Sequence, residues 1–257
     1  MITNRPKGTQ DWFGENMWKR TKIEAIAREL CSTYNIGEII TPAFEHTVLF
    51  NRSVGDTTDV VQKEMYTFTD KGKRSITLKP EGTASVVRSI IEHNLYAEPL
   101  PIKTFYLNSP IFRYENPQSG RLREHHQFGL ECFGATGPSV DAELITLVLN
   151  LLESIGIKNL SVSINSIGCP NCRPKYQQAL KEYLSGAKED LCDTCKERME
   201  TNPLRVLDCK VESCKKRLQD APVILDYLCD DCREHFEGLK KLLKLQGLDF
   251  EVNPKIV

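Results

Sequence analysis

The chain has 257 residues, of which 40% are hydrophobic and 27% charged, and its formal net charge is −1. That is enough apolar material for a sizeable core, and the near-neutral balance excludes bulk electrostatic attraction to nucleic acid or to an anionic membrane. The opening MITNRPKGTQDW has no apolar signal-peptide region, and no run of about 18 apolar residues predicts a membrane span. Ten cysteines without a secretory signal predict a reducing compartment, the cytoplasm.

Residues 17–34 place Ile23, Ile26, Ala27, Leu30 and Tyr34 at helical spacing. IGEIITPAFE then reads as a strand interrupted or edged at Pro42, which lacks the donor a ladder needs. SITLKPEGTASVVRSIIEHN reads as a short strand, a Pro-Glu-Gly turn and a helix capped by Thr83, with Val87, Ile90 and Ile91 facing inward. IKTFYLNSPIFRYE and HHQFGLECFG form the arms of a hairpin, with NPQSGR among the connecting residues. A helix follows over 139–155, capped by Ser139, striped by Leu144, Val148, Leu151 and Ile155, and stopped at Gly156. LSVSINSI is another strand, and DFEVNPKIV reads as a strand returning to the main sheet.

From Cys169 the texture changes. Eight of the ten cysteines fall between Cys169 and Cys232, among many Lys, Arg, Asp and Glu. The expected organisation is a core of 1–168 with 245–257, into which a small Cys-rich domain, 169–244, is inserted. Strands and helices without strict βαβ alternation predict an α+β fold, a mainly antiparallel sheet flanked by helices. Cys31 and Cys132 lie on apolar faces and read as small core residues.

The hairpin carries the densest polar pattern, RYENPQSGRLREHHQFGLE at 113–131. If its second arm is a strand, His126, Phe128, Leu130 and Cys132 share one face, and Gln127, Gly129 and Glu131 share the other. The first set packs on a core. The second is polar, with a side-chain-free Gly that leaves room for a small ligand over the sheet. Arg113 shares a face with Glu115, opposite Phe112 and Tyr114, and its forked guanidinium suits an anionic group, phosphate in particular. The competing reading is a solvated hairpin whose surface ion pairs contribute roughly 0–1 kcal/mol each.

The cysteines pair by spacing: Cys169 with Cys172, Cys192 with Cys195, Cys229 with Cys232, and more loosely Cys209 with Cys214. Two such pairs complete a tetrahedral Zn²⁺ site, so eight thiols suffice for two structural zinc sites, with the combination of pairs left open. His235, three residues past Cys232, is a candidate replacement ligand, whereas His46 and His93 read as structural or surface residues. Acidic and basic residues balance in this segment, so it offers no electrostatic RNA-binding patch of its own.

FRYENPQSGRLREHHQFGLECFG resembles motif 2 of class II aminoacyl-tRNA synthetases, and specifically that of the histidyl-tRNA synthetase family. RPKGTQDW, IITPAFE, DVVQKEMYTFTDKGKRSITLKPEGTASVVR and NSIGC are similar to the same family in the same order. The resemblance implies ATP-dependent activation of histidine, helped by Mg²⁺, and transfer to the terminal ribose of its tRNA. It assigns Arg113 to the α-phosphate and the histidine carboxylate, Glu115 to the adenine amino group, and Arg121 to the terminal phosphates. Glu81, Thr83 and Gln127 receive the histidine ammonium, and Glu131 hydrogen-bonds its imidazole. The segment with Pro42 corresponds to motif 1, which builds a homodimer interface, and the Cys-rich segment is implied to meet the tRNA acceptor arm.

Two departures stand out. His125 occupies the position where the family usually stacks a Phe on adenine. The sequence also ends at Val257, before the Arg-Gly-Leu-Asp-Tyr-Tyr segment, motif 3 and the anticodon-binding domain of the family. The expectation is a truncated N-terminal catalytic region with little adenylate formation by itself. A rival reading is a non-catalytic relative that senses histidine as a regulatory subunit in histidine biosynthesis, and a third is a zinc-stabilised RNA-binding module. The retained Glu81, Thr83, Arg113, Arg121, Gln127 and Glu131 favour the enzyme.

Overall fold

The helical spacing near the N-terminus is realised as α1 (Gly14–Thr33), which starts three residues earlier than expected. Its buried residues are Ala27 and Cys31, while Ile23 of the expected stripe is exposed. Asn35 ends it in the left-handed region at φ +54°, where the N–H groups of Asn35 and Ile36 return to the carbonyls of Ser32 and Cys31 at 3.1 and 2.9 Å. The structure, a computed structural model, describes residues 3–54 and 64–256. Residues 59–63 of the DVVQKEMYTFTDKG motif therefore lie outside the described residues.

Pro42 does divide the expected strand. β1 (Gly37–Glu38) and β2 (Phe44–His46) flank it, and α2 (Thr47–Val54) follows. β3 (Thr67–Thr69) and β4 (Ser75–Leu78) pair antiparallel, and β2 pairs antiparallel with the other edge of β4. After the Pro-Glu-Gly turn comes α3 (Thr83–Glu92). Its inward line is Val86 and Ile90, whereas Ile91, expected inside, is 60% exposed. Thr83 is not its cap. The Glu81 carboxylate takes that role, accepting the N–H groups of Thr83 and Ala84 at 2.7 and 2.9 Å.

The long hairpin is β5 (Ile102–Phe112) and β6 (Glu124–Phe133), joined antiparallel, with β1 parallel along the outer edge of β5. The fold is therefore α+β with mixed and antiparallel sheets. The parallel edge arises because β1 and β5 are joined by a long crossover rather than a tight turn. α4 (Pro138–Ser154) follows. Ser139 lies inside its first turn rather than ahead of it. Gly156, at φ +92°, stops it as expected, with the N–H groups of Gly156 and Ile157 bonded to Glu153 and Leu152 at 2.9 Å.

Contacts divide the chain into two units, 1–136 with 147–158, and 137–146 with 159–257. In the second, β7 (Ser163–Ile164) pairs in parallel with β8 (Glu251–Val252). The last strand thus joins a two-stranded ladder and not the hairpin sheet, held by Glu251 N–H to Val162 and Asn253 N–H to Ile164 at 2.9 and 3.0 Å. Between these strands run α5 (Arg173–Gly186), α6 (Asp193–Thr201), α7 (Glu212–Arg217) and α8 (Asp230–Leu245). One hydrophobic cluster runs from Cys172 to Leu228, and a smaller one joins Ala142, Ile164, Phe236, Leu239 and Leu243.

Candidate active site

Register places the site. Across the hairpin Thr104 faces Glu131, Tyr106 faces Gly129, Ser109 faces Gln127 and Ile111 faces His125, so these side chains share one face. Strict alternation from Tyr106 would have put Pro110 there. A bulge between Tyr106 and Ser109 shifts the parity by one and keeps Ser109 beside Gln127. The opposite face packs as expected: Phe128 meets Phe105 at 6.2 Å between ring centroids, and His126 meets Trp12 edge-on at 6.1 Å.

At one end of the polar face, Glu81 and Glu131 converge on Thr83. The Thr83 hydroxyl donates to the Glu131 carboxylate at 2.7 Å, while its backbone N–H donates to Glu81. Burial pushes the Glu131 carboxyl above the usual carboxylate range, partly opposed by the Thr83 hydrogen bond and reinforced by Glu81. Two carboxylates held this close suit a cationic or N–H-rich ligand, whose positive charge relieves their mutual repulsion. Among the described residues, a cavity of about 1010 Å³ opens beside Glu81 and Thr83, lined also by Arg52, Val87, Arg88 and Glu92.

At the other end, Arg113 is tethered by Nε to the Pro80 carbonyl at 2.8 Å, one residue from Glu81. Burial, and then the Arg113 charge, holds the His125 imidazole below its usual pKa against the pull of Glu115. A mainly neutral, half-buried ring beside a fixed guanidinium can stack on a flat heterocycle. Arg121 is exposed and lies 3.3 Å from the Glu115 carboxylate. Gln127 is exposed on the shared face. Arg123, prominent in the sequence, is turned away, with its guanidinium 4.1 Å over the Tyr114 ring and Nε on the Glu115 carbonyl.

Two contributors were not foreseen. The room over Gly129 is taken by Tyr106 rather than left for a ligand: a Cβ built on Gly129 would sit 2.0 Å from Tyr106 Cζ, and one on Gly82 would sit 2.4 Å from the same atom. Two glycines therefore clasp one ring. Its hydroxyl is brought to Thr83, and burial raises its pKa against that hydrogen bond, with Glu131 and Glu81 adding to the rise. Lys79, buried, donates from Nζ to the Thr41 hydroxyl at 3.0 Å and to the Ser109 hydroxyl at the bulge. Burial lowers its pKa while Glu45 and Glu81 oppose the fall. In sequence, Tyr106 is one apolar residue of FYL and Lys79 one surface-type charge; only a known register and bulge would have marked them.

The eight cysteines of the second unit resolve into two groups of four, Cys169, Cys172, Cys229 and Cys232, and Cys192, Cys195, Cys209 and Cys214, with ligand atoms within 4.8 Å of one another. His235 is in neither group; its Nε2 lies 2.6 Å from the Asp141 carboxylate. Cys31 is buried as expected, and burial raises its thiol pKa to about 11.

A family model described as histidyl-tRNA synthetase matches residues 8–185. The histidine–tRNA ligase of Caldanaerobacter subterraneus subsp. tengcongensis is 56% identical over 257 residues, covering 100% of this chain and 61% of that protein. That of Clostridium novyi is 58% identical, covering 100% and 62%. The apo histidyl-tRNA synthetase of S. aureus superposes with a TM-score of 0.78 at 38% identity, covering 100% of this chain and 58% of that one. The chain spans about three fifths of the length of the curated relatives it matches.

Proposed function

The chain belongs to the histidyl-tRNA synthetase family, and we propose that its hairpin face binds histidine and ATP for adenylate formation and transfer to tRNA. In that reaction a histidine carboxylate oxygen forms a bond to the ATP α-phosphorus while the bond to pyrophosphate breaks. The terminal ribose hydroxyl of the tRNA then attacks the acyl carbon, and AMP leaves. The protein's part is to position the reactants and offset developing charge.

The observation that carries this reading is the Glu81–Thr83–Glu131 arrangement placed one residue from the anchor of Arg113. Glu131 accepts an imidazole N–H and so selects the tautomer of the bound side chain. Glu81, the Thr83 hydroxyl and Gln127 receive the ammonium. Arg113, already oriented by Pro80, bridges the substrate carboxylate and the α-phosphate bidentately. His125 stacks on adenine, Glu115 accepts from its amino group, and Arg121 swings from Glu115 to the terminal phosphates. Mg²⁺ comes with ATP: such ions use substrate phosphates plus one or two carboxylates, and the metal-capable groups among the described residues are the two cysteine sets.

A homodimer through the motif 1 region around Pro42 is supported by the apolar side chains exposed beside it, Ile40, Phe44 and Val48. The hydrophobic cluster from Cys172 to Leu228 supports 169–244 as an inserted Cys-rich domain, with structural zinc and contact to the tRNA acceptor arm. Ten free cysteines fit the cytoplasm. No helix among the described residues is long and apolar enough to cross a membrane.

The test is calorimetric titration of this chain with histidine. Binding that weakens on Glu131→Gln and is unaffected by an exposed change such as Lys181→Ala is expected. Equal affinity for histidine and leucine would sink the reading.

A further inference from the structure

We propose that the segment 169–232 is organised by two independent tetrathiolate zinc sites, one nested inside the other, and that the outer ion is the exchangeable one. The inference stands on the cysteines and is independent of the histidine-activation reading. The outer group joins the first C-x₂-C pair to the last, Cys169 and Cys172 with Cys229 and Cys232; the inner joins the second pair to the looser third, Cys192 and Cys195 with Cys209 and Cys214.

Sulfur spacing distinguishes metal from disulfide. Cys169 and Cys172 lie 3.5 Å apart, Cys169 and Cys229 3.7 Å, Cys172 and Cys232 3.8 Å, and Cys192 and Cys209 3.9 Å. A disulfide requires about 2.05 Å. Four thiolates at about 2.3 Å from a tetrahedral zinc stand about 3.8 Å apart. Backbone N–H groups point at these sulfurs, as thiolate ligands need: Cys169 N–H to Cys172 at 3.0 Å, Cys192 N–H to Cys214 at 3.2 Å, and Asn171 and Val211 N–H to Cys169 and Cys209 at 3.4 Å. Cys172, Cys192 and Cys229 each stand just ahead of α5, α6 and α8, where the helix dipole favours a thiolate.

The local core also needs staples. Its buried members include four cysteines and neither Phe nor Trp, and a core this small seldom sustains a fold unaided. Cys169 and Cys229 are 60 residues apart, so the outer ion closes the neck of the whole segment while the inner ion ties α6 to α7 within it.

Burial and charge separate the two. In the outer group only Cys172 is buried, and Cys169 and Cys232 line a cavity of about 520 Å³ with Asp141, Asp231 and His235. In the inner group Cys195, Cys209 and Cys214 are all buried, and the cavity at Cys209 carries Lys210, Lys215, Lys216 and Lys255 against Asp208 and Glu212. Zinc with four thiolates has a net charge of two minus, which lysines stabilise and aspartates do not. The outer ion is thus both more accessible and less well compensated.

The test uses the 257-residue protein purified without chelator. Elemental analysis is expected to give about two zinc ions per chain, the four-thiolate complement of each site. Release to the chromogenic chelator 4-(2-pyridylazo)resorcinol is expected in two phases of equal amplitude. Cys229→Ser should remove the fast phase and Cys209→Ser the slow one. Should either variant fail to fold, alkylation of the wild-type protein during chelation, read by mass spectrometry, decides the assignment: Cys169, Cys172, Cys229 and Cys232 are modified first. One zinc or none after purification and zinc titration, a single release phase, or earlier alkylation of the inner cysteines overturns the proposal.

Discussion

The hairpin face and the cysteine-rich segment both gather groups that repel or react when left alone, and they hold them by opposite means. Along β5 and β6 the restraint is the continuous ladder, one bulge, and a tyrosine ring clasped between Gly82 and Gly129. Glu81 and Glu131 are kept close at a cost that a ligand can relieve. Between Cys169 and Cys232 there is little ladder and a small core, and on the zinc proposal the thiolates are themselves the cross-links. A site built on backbone register survives loss of its ligand, whereas one built from ligand sulfurs does not survive loss of its metal.

The sharpest way to break this contrast is to strip metal. Structural zinc contributes about 10–16 kcal/mol of binding free energy in small domains at neutral pH, so chelation is expected to abolish amide protection across 169–232. The β5–β6 amides should retain theirs by hydrogen-exchange mass spectrometry. Uniform loss across both regions would show that the hairpin depends on the segment after all.

Next in size is Gly129→Ala. The added methyl meets a buried ring at 2.0 Å, and overpacking of that kind costs about 3 kcal/mol. Combining it with Tyr106→Leu should cost less than the sum of the two single changes, because both act through one contact. Simple additivity in urea melts would mean that the ring is not what the glycine accommodates.

Glu131→Gln separates binding from stability. Losing a charged acceptor should weaken histidine binding by about 1.5–3 kcal/mol. Since the folded carboxyl titrates above its unfolded value, its stabilising contribution is present below the unfolded pKa and lost as pH rises through the folded one. At neutral pH the ionised group is a cost, so the unliganded variant should melt higher than the parent there and show no advantage in acid. A lower melting temperature at neutral pH would contradict the burial argument.

Smallest is Arg121→Ala. The side chain is 65% exposed and lies 3.3 Å from the Glu115 carboxylate, and such pairs are worth about 0.5 kcal/mol or less. Stability should be unchanged within that margin while ATP affinity falls several-fold by calorimetry. An unchanged ATP affinity would remove Arg121 from the phosphate site.

Much of this was legible in the amino-acid order. The period of two in QFGLE put Gln127 and Glu131 on one face and Phe128 on the other, and three C-x₂-C pairs with the looser Cys209–Cys214 pair marked the eight metal-capable cysteines. Helix stops at Asn35 and Gly156 follow from local backbone preference, although only the second was anticipated. These features are short-range, so neighbouring residues settle them.

Tertiary structure alone decided the rest, because each remaining question joins residues far apart in the chain. The bulge after Tyr106 reset which residues of β5 face the site. By alternation alone Gly129 reads as space for a ligand, yet it is the seat of a tyrosine 23 positions earlier. Glu81, rather than Thr83, caps α3, which frees the Thr83 hydroxyl for Glu131. Spacing allowed several combinations of cysteine pairs, and only the folded chain chose first with last. Local chemistry lists the groups a chain can offer, while long-range packing, paid for in loop-closure entropy, determines which of them meet.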